Sequence, residues 1–308
     1  MRDKQVIGVL VMSYGTPESM DQIEAYYTHI RRGRPPSPEQ LHDLTERYRA
    51  IGGTFPLREN TNLQVAALEA ELNREQSDKR FVCYQGLKHA NPLIEDGVQR
   101  MAQDGIKKAV GIVLAPHYSV MSVGSYIDRA RKAAEEHGIE ISFVESYHLH
   151  PKLIQAWANR VEKGLSQFTD VARDEIRVIY SAHSLPSRIL KMNDPYPDQL
   201  LATSRAISEQ VDVTNWQFAW QSAGQTHEEW LGPDILDVIR EEKEKDGARH
   251  ILISPIGFVS DHLEILYDID IECVGLAKEL GIELKRTESL NTDPLYIETL
   301  ADCIRQQL

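Results

Sequence analysis

Residues 109–115, Ala109-Val110-Gly111-Ile112-Val113-Leu114-Ala115, carry no polar side chain at all. A strand with one wet face alternates apolar and polar residues. An unbroken apolar run of this length, rich in β-branched residues, suits a strand covered on both faces. Seven further short runs resemble it: Gln5–Val11, Arg80–Gln85, Glu140–Val144, Glu175–Ser181, Trp216–Gln221, His250–Pro255 and Ile282–Lys285. Between them lie amphipathic stretches, among them Asn62–Asn73, Ser125–His137, Leu153–Leu165 and Asp234–Lys245. Strands alternating with helices in this way predict parallel sheets with helices on both sides, an α/β fold. Eight strands divide into four and four. The pattern breaks at Ser166-Gln167-Phe168-Thr169-Asp170, which predicts two domains, 1–168 and 169–308. A chain of 308 residues is also longer than one core of about 150 residues usually serves. Leu114-Ala115-Pro116-His117-Tyr118-Ser119 and Ile253-Ser254-Pro255-Ile256-Gly257-Phe258 both end a strand with Pro and enter a helix start, an internal echo of two related halves.

Bulk properties exclude several functions. A formal net charge of −13 repels phosphate backbones, so no nucleic-acid partner is expected. The three cysteines, Cys83, Cys273 and Cys303, form no CxxC or Cys/His spacing, which argues against structural zinc and iron–sulfur clusters and suits a reducing cytoplasm. No signal-peptide pattern and no apolar run near the ~20 residues of a membrane span occurs, so a cytoplasmic protein without an integral membrane segment is expected. No glycine-rich phosphate loop follows any strand, which disfavours nucleotide binding.

Ligands of open α/β sheets bind beyond the carboxyl ends of the strands. The residues there are Ser13-Tyr14-Gly15-Thr16, Leu87-Lys88-His89, Pro116-His117-Tyr118, Ala182-His183-Ser184 and the stretch reaching Asp261-His262-Leu263-Glu264. They gather imidazoles, phenols and carboxylates where a cleft between two domains would open. His183, between an apolar strand and Ser184-Leu185-Pro186, reads either as a ligand for a borderline metal such as Fe²⁺ and a proton acceptor, or as a capped core histidine. Asp261, Glu264, Asp268 and Glu272, spaced by three, four and four, predict one helix face with four carboxylates. That line either passes a hydrated divalent cation inward or is a solvated acidic face; neighbouring Phe258, Val259, Leu263, Leu266 and Tyr267 favour the first. Arg31, Arg32, Arg34, Arg47, Arg49 and Arg58 fall within 28 residues with no lysine among them, interleaved with Tyr26, Tyr27, Tyr48 and Phe55. Guanidinium forks grip carboxylates, and flat rings face flat ligands, so a planar polycarboxylate suits the mixture; exposed helix-end arginines are the other reading.

These segments resemble the ferrochelatase family along essentially the whole chain. The likeness is carried by Val11-Met12-Ser13-Tyr14-Gly15-Thr16-Pro17, Tyr27-Thr28-His29-Ile30-Arg31-Arg32-Gly33-Arg34, Tyr48-Arg49-Ala50-Ile51-Gly52-Gly53 and Gly86-Leu87-Lys88-His89. Ser181-Ala182-His183-Ser184-Leu185-Pro186, Asp194-Pro195-Tyr196-Pro197, Trp220-Gln221-Ser222 and Gly257-Phe258-Val259-Ser260-Asp261-His262-Leu263-Glu264 complete it. The resemblance implies two Rossmann-like domains, each a four-stranded parallel sheet, with a porphyrin held in the cleft between them. It implies His183 and Glu264 as the catalytic metal pair, and Asp268 and Glu272 as sites for metal delivery or for a second divalent cation such as Mg²⁺. It further implies Tyr14, Arg31, Arg47, Tyr48, Phe55, Lys88, His89 and Tyr126 as the porphyrin-binding set, with Tyr14 as axial ligand to the product iron. Relatives often carry Ser where Phe55 stands, so a hydroxyl contact is not expected there. Length and the lack of cluster cysteines resemble the Gram-positive type, which implies insertion of Fe²⁺ into coproporphyrin III by a monomer, with iron as substrate and no prosthetic group. A ferrochelatase acting on protoporphyrin IX and a related cobalt or nickel chelatase are the alternatives.

Overall fold

The structure is a computed structural model that describes residues 4–224 and 226–308. All eight expected strands form, and they make two four-stranded parallel sheets. In the first sheet β1 (Gln5–Ser13) is central, between β2 (Lys79–Leu87) and β3 (Lys108–Val113), with β4 (Glu140–Val144) outside β3. The register sets Val9 opposite both Cys83 and Val110. Ile7 through Met12 are sealed from solvent on both faces, apart from what Gly8 leaves open to its neighbours' side chains. Gly111, in the run that decides the fold, is glycine for a steric reason: a Cβ there would lie 2.5 Å from the Phe143 ring on β4.

Residues 14–78 join β1 to β2 through α1 (Ile23–Ile30), α2 (Pro38–Ala50) and α3 (Pro56–Leu72). Helix α2 starts where Ser37 accepts from the Gln40 backbone N–H at 3.2 Å and Gln40 accepts from the Ser37 N–H at 3.0 Å, with Pro38 at its first position. Helices α4 (Ile94–Gln103) and α5 (Val123–His137) bury Val98, Met101, Ile127 and Ala134 against the same sheet.

The second sheet repeats the strand order of the first. β5 (Ile176–His183) is central, between β6 (Trp216–Gln221) and β7 (His250–Ser254), with β8 (Glu283–Arg286) outside. It is dressed by α6 (Pro151–Leu165), α7 (Tyr196–Gln210), α8 (Ile235–Asp246), a π-helix (Ile265–Cys273) and α9 (Val274–Leu280). Among the described residues, no helix is long and apolar enough to cross a membrane.

The division into units falls elsewhere than at residue 168. One unit comprises Met1–Tyr147 with Asn291–Leu308, and the other His148–Leu290. Helix α6 follows β4 in sequence yet packs in the second unit, where Gly164 leaves room for the Leu252 side chain of β7. Helix α10 (Pro294–Arg305) follows β8 yet returns to the first. There Arg305 donates to the Glu71 carbonyl at 2.9 Å, Gln64 to the Asn291 carbonyl at 2.8 Å, and the Tyr147 and Tyr296 hydroxyls meet at 3.4 Å. The break at 166–170 marks the end of α6, not of a domain.

Truncation before Asn291 removes Tyr296, Ile297, Leu300 and Ile304, all buried, each contributing about 1.5–3 kcal/mol. We expect hydrogen exchange to accelerate in α3 and β1–β3 while β5–β7 stay protected. Uniform acceleration across both sheets would contradict the exchange of terminal helices.

Candidate metal and macrocycle sites

His183 ends β5 with little freedom left. Its carbonyl accepts from the buried Tyr196 hydroxyl at 3.1 Å, and the next N–H, that of Ser184, donates to the Gln221 carbonyl at 2.8 Å. Its ring Nδ1 lies 2.5 Å from the Ser184 carbonyl. A carbonyl only accepts, so Nδ1 carries the proton and Nε2 of the neutral ring keeps its lone pair. Trp230 and Phe258 flank the imidazole, each with ring centroids 6.4 Å away.

Phe258 reaches His183 because the segment after β7 crosses the end of β5. The Gly257 N–H donates to Ser181 O at 3.0 Å, and a Cβ on Gly257 would come within 2.3 Å of the Ala182 Cβ. Phe258 then packs on His262, centroids 4.7 Å apart, and His262 Nε2 lies 3.3 Å from Glu264 Oε2. His262 Nδ1 faces the Ser260 carbonyl at 2.9 Å and therefore donates to it. Gln221, 1% exposed, completes the bracket: it pairs in register with His183, accepts from Ser181 Oγ at 2.8 Å, and donates from Nε2 to the Glu264 carbonyl at 3.2 Å.

The expected α-helical face is a π-helix, and it holds three of the four acids. Glu264 stands at its N-cap, Asp268 is buried and takes the hydroxyl of Ser222, and Glu272 is half-buried near the far end. Asp261 precedes the helix and belongs to a different set, with Ser289 Oγ at 2.8 Å and Arg286 at 3.4 Å. Among the described residues no three His, Cys, Asp or Glu side chains converge on one point. His183, Glu264, Asp268 and Glu272 are therefore not the corners of one cage. His262, two positions before Glu264, is an addition to the expected set; its signal in the sequence is an imidazole beside a carboxylate in an apolar stretch.

The first unit gathers the remaining residues. Tyr14, 41% exposed just beyond β1, packs on His89 with centroids 4.7 Å apart, and His89 Nδ1 meets His29 Nδ1 at 3.0 Å. Lys88 Nζ donates to Ser125 Oγ at 2.7 Å and lies over the buried Tyr126 ring at 4.7 Å. Arg129 fixes this loop by donating to the Lys88 carbonyl at 2.8 Å while forking onto Glu95 at 2.8 and 2.6 Å. Burial, with Arg129 and Arg32 nearby, lowers the Lys88 pKa to about 8. Burial likewise lowers that of His89 to about 3, aided by Lys88, His29 and Arg129. Lys88, Arg32 and Arg129 thus crowd this loop with positive charge, and Glu95 is paired to Arg129.

Tyr48 is buried with its hydroxyl 3.0 Å from Thr16 Oγ1, and its ring packs on Phe55 at 4.7 Å. Arg31 lies half-buried over Tyr27, with its Nε shielded from solvent and without a protein hydrogen-bond acceptor. Arg47 is half-buried on α2. Arg49 follows the other reading, exposed and paired with Glu46, whereas Arg58 is half-buried, pairing with Glu18 at 2.7 Å and donating to the Asn91 carbonyl at 3.0 Å.

Two expectations can be measured here. Lys88 should acylate with an apparent pKa of about 8, and Arg129→Met, by removing a neighbouring cation, should move it upward. A value near 10.5 in the wild type would contradict the buried, cation-crowded site.

A family model described as Ferrochelatase matches residues 6–308. The chain is 48% identical over 305 residues to coproporphyrin III ferrochelatase of Oceanobacillus iheyensis, covering 99% of this chain and 98% of that protein. It is 47% identical over 306 residues to the enzyme of the same name from Geobacillus thermodenitrificans, covering 99% and 97%. Among solved structures it is similar to the sirohydrochlorin chelatase SirB of Bacillus subtilis subspecies spizizenii in complex with cobalt, with a TM-score of 0.60, 11% identity, and coverage of 98% and 94%. SirB from Bacillus subtilis with Fe³⁺ gives a TM-score of 0.62 at 13% identity, covering 98% and 95%. At that identity the likeness to SirB concerns the fold, two four-stranded parallel sheets flanked by helices.

Proposed function

The chain belongs to the ferrochelatase family, and we propose that it inserts ferrous iron into coproporphyrin III to give Fe-coproporphyrin III (coproheme). The observation that carries the reading is the fixed tautomer of His183. Its Nδ1–H is committed to the Ser184 carbonyl, which leaves Nε2 as a ligand for incoming Fe²⁺ or an acceptor for a pyrrole proton. Identity near 48% to relatives named for coproporphyrin III supports the choice of substrate.

Insertion exchanges two pyrrole protons for one Fe²⁺. His183, with Nε2 open, can accept one proton, and the Glu264 carboxylate, 3.3 Å from His262 Nε2, offers a second acceptor. Imidazole and carboxylate bind Fe²⁺ without the hold of a thiolate, which suits a metal that must move on. Asp268 and Glu272 supply oxygen donors, and we assign them to metal approach, with a hard cation such as Mg²⁺ as a second occupant. In the first unit, Tyr14 and His89 offer rings to the flat macrocycle. Arg31, Arg47 and Lys88 offer donors to its carboxylates, and Tyr48, Phe55 and Tyr126 back them. Tyr14 further supplies a phenol oxygen to the product iron. A cytoplasmic, monomeric protein without a nucleic-acid partner completes the reading, supported by three free cysteines and a net charge of −13.

Anaerobic assays with Fe²⁺ and either coproporphyrin III or protoporphyrin IX test the substrate: coproporphyrin III should turn over faster, and a preference for protoporphyrin IX would reverse the assignment. His183→Ala should lower kcat by at least ~10²-fold, the scale of a lost general base, with porphyrin binding retained. Tyr14→Phe should shift the visible spectrum of bound product, and an unchanged spectrum would remove the phenol as ligand.

A further inference from the structure

Nine residues of π-helix is an unusual length, because such turns mostly occur singly within α-helices. The same residues wound as an α-helix would shift Asp268 and Glu272 around the axis relative to Glu264. Contacts outside the helix must therefore favour the wider winding, and a bidentate one comes from Arg286.

Arg286 is the last residue of β8, paired in register with Ile253 of β7. The next residue is locked to the same strand: Thr287 N–H donates to the Ile253 carbonyl at 2.9 Å and its hydroxyl to Ser254 Oγ at 3.2 Å. From this fixed base the guanidinium, 17% exposed, forks onto Asp270 of the π-helix, with Nε to Oδ1 at 2.7 Å and the second nitrogen to Oδ2 at 2.8 Å. Its remaining nitrogen reaches Asp261 Oδ1 at 3.4 Å and donates to the Thr287 carbonyl at 3.0 Å. Ser289 Oγ seats Asp261 from the same segment at 2.8 Å. One strand end thus grips the chain on both sides of Glu264, three residues before it and six after. Asp270 is two residues from both Asp268 and Glu272, about half a turn, so the grip falls on the side of the helix turned away from that acid line.

We propose that Arg286, through Asp270 and Asp261, is a positioning residue for the metal path: it holds the π-helix in the winding that sets Glu264 and Asp268 for an incoming divalent cation. The inference rests on the metal role assigned to those two acids. It also accounts for the choice of arginine, since only a planar fork satisfies both oxygens of Asp270 while a third nitrogen reaches Asp261. Lysine offers the same charge from a single point.

The test compares wild type with Arg286→Lys and Asp270→Asn, which break the fork from opposite ends, and with the double variant. Asp270 is 37% exposed at its side chain, so its substitution keeps the test open if the arginine variant fails to fold. Calorimetric titration with Zn²⁺, without porphyrin, reads the metal path independently of turnover. Both single variants should bind Zn²⁺ roughly tenfold more weakly, the scale seen when residues supporting a metal ligand are lost. In chelation assays the KM for metal should rise with the KM for coproporphyrin III unchanged, and the double variant should be no worse than either single one. Wild-type Zn²⁺ affinity and metal KM in folded variants would overturn the inference. A wild-type protein that binds Zn²⁺ but does not metallate coproporphyrin III would instead overturn the proposed function and leave the Zn²⁺ comparison valid.

Discussion

The hydrogen bond from His183 Nδ1 to the Ser184 carbonyl is the contact on which the proposed chemistry depends. It selects one tautomer of the imidazole and leaves the other nitrogen for a metal or a proton. The surrounding structure makes that selection firm: Tyr196 holds the carbonyl of His183, Gln221 holds the following N–H, and Gly257 lets the next segment approach closely enough to set Phe258 against the ring. A histidine on a mobile loop would sample both tautomers, and its lone pair would point nowhere in particular.

The strand pattern was legible because hydrophobic burial on both faces of a parallel sheet writes itself directly into unbroken apolar runs. Val110 to Leu114 and Val178 to Tyr180 are plain instances. The division of the chain was less legible. Helices α6 and α10 are amphipathic whichever sheet they cover, and nothing in Leu153–Leu165 states that its apolar face meets β7 and not the strand just before it. Contact partners of helices across a chain reversal are a property of the assembled fold.

The site shows the same contrast. His183 and Glu264 stood out by residue type and by position after strands. The acid spacing of three, four and four suggested an α-helical face, whereas the winding is π and its first member, Asp261, is turned to Arg286. Over three intervals, spacings of three, four and four fit 3.6 residues per turn as readily as the wider π winding. Arg286, near the far end of the sequence, gave no local sign that it would fork onto Asp270. The contact of His262 with Glu264 has no sequence signature, because it depends on how the ring is oriented.

The candidate residues in the two units differ in charge. Lys88, Arg129, Arg32 and the neutral His89 make the loop beyond β2 receptive to carboxylates, while Glu264, Asp268 and Glu272 line the other unit with anions suited to a cation. A protein that joins a polycarboxylate ring to a divalent metal needs both kinds of surface. The most direct measurement of this account is anomalous diffraction at the cobalt edge from crystals soaked with Co²⁺ in place of Fe²⁺. The account predicts one ion within about 2.0–2.3 Å of His183 Nε2 and of a Glu264 carboxylate oxygen. An ion bound elsewhere, with His183 and Glu264 both free of metal at saturating Co²⁺, would contradict it.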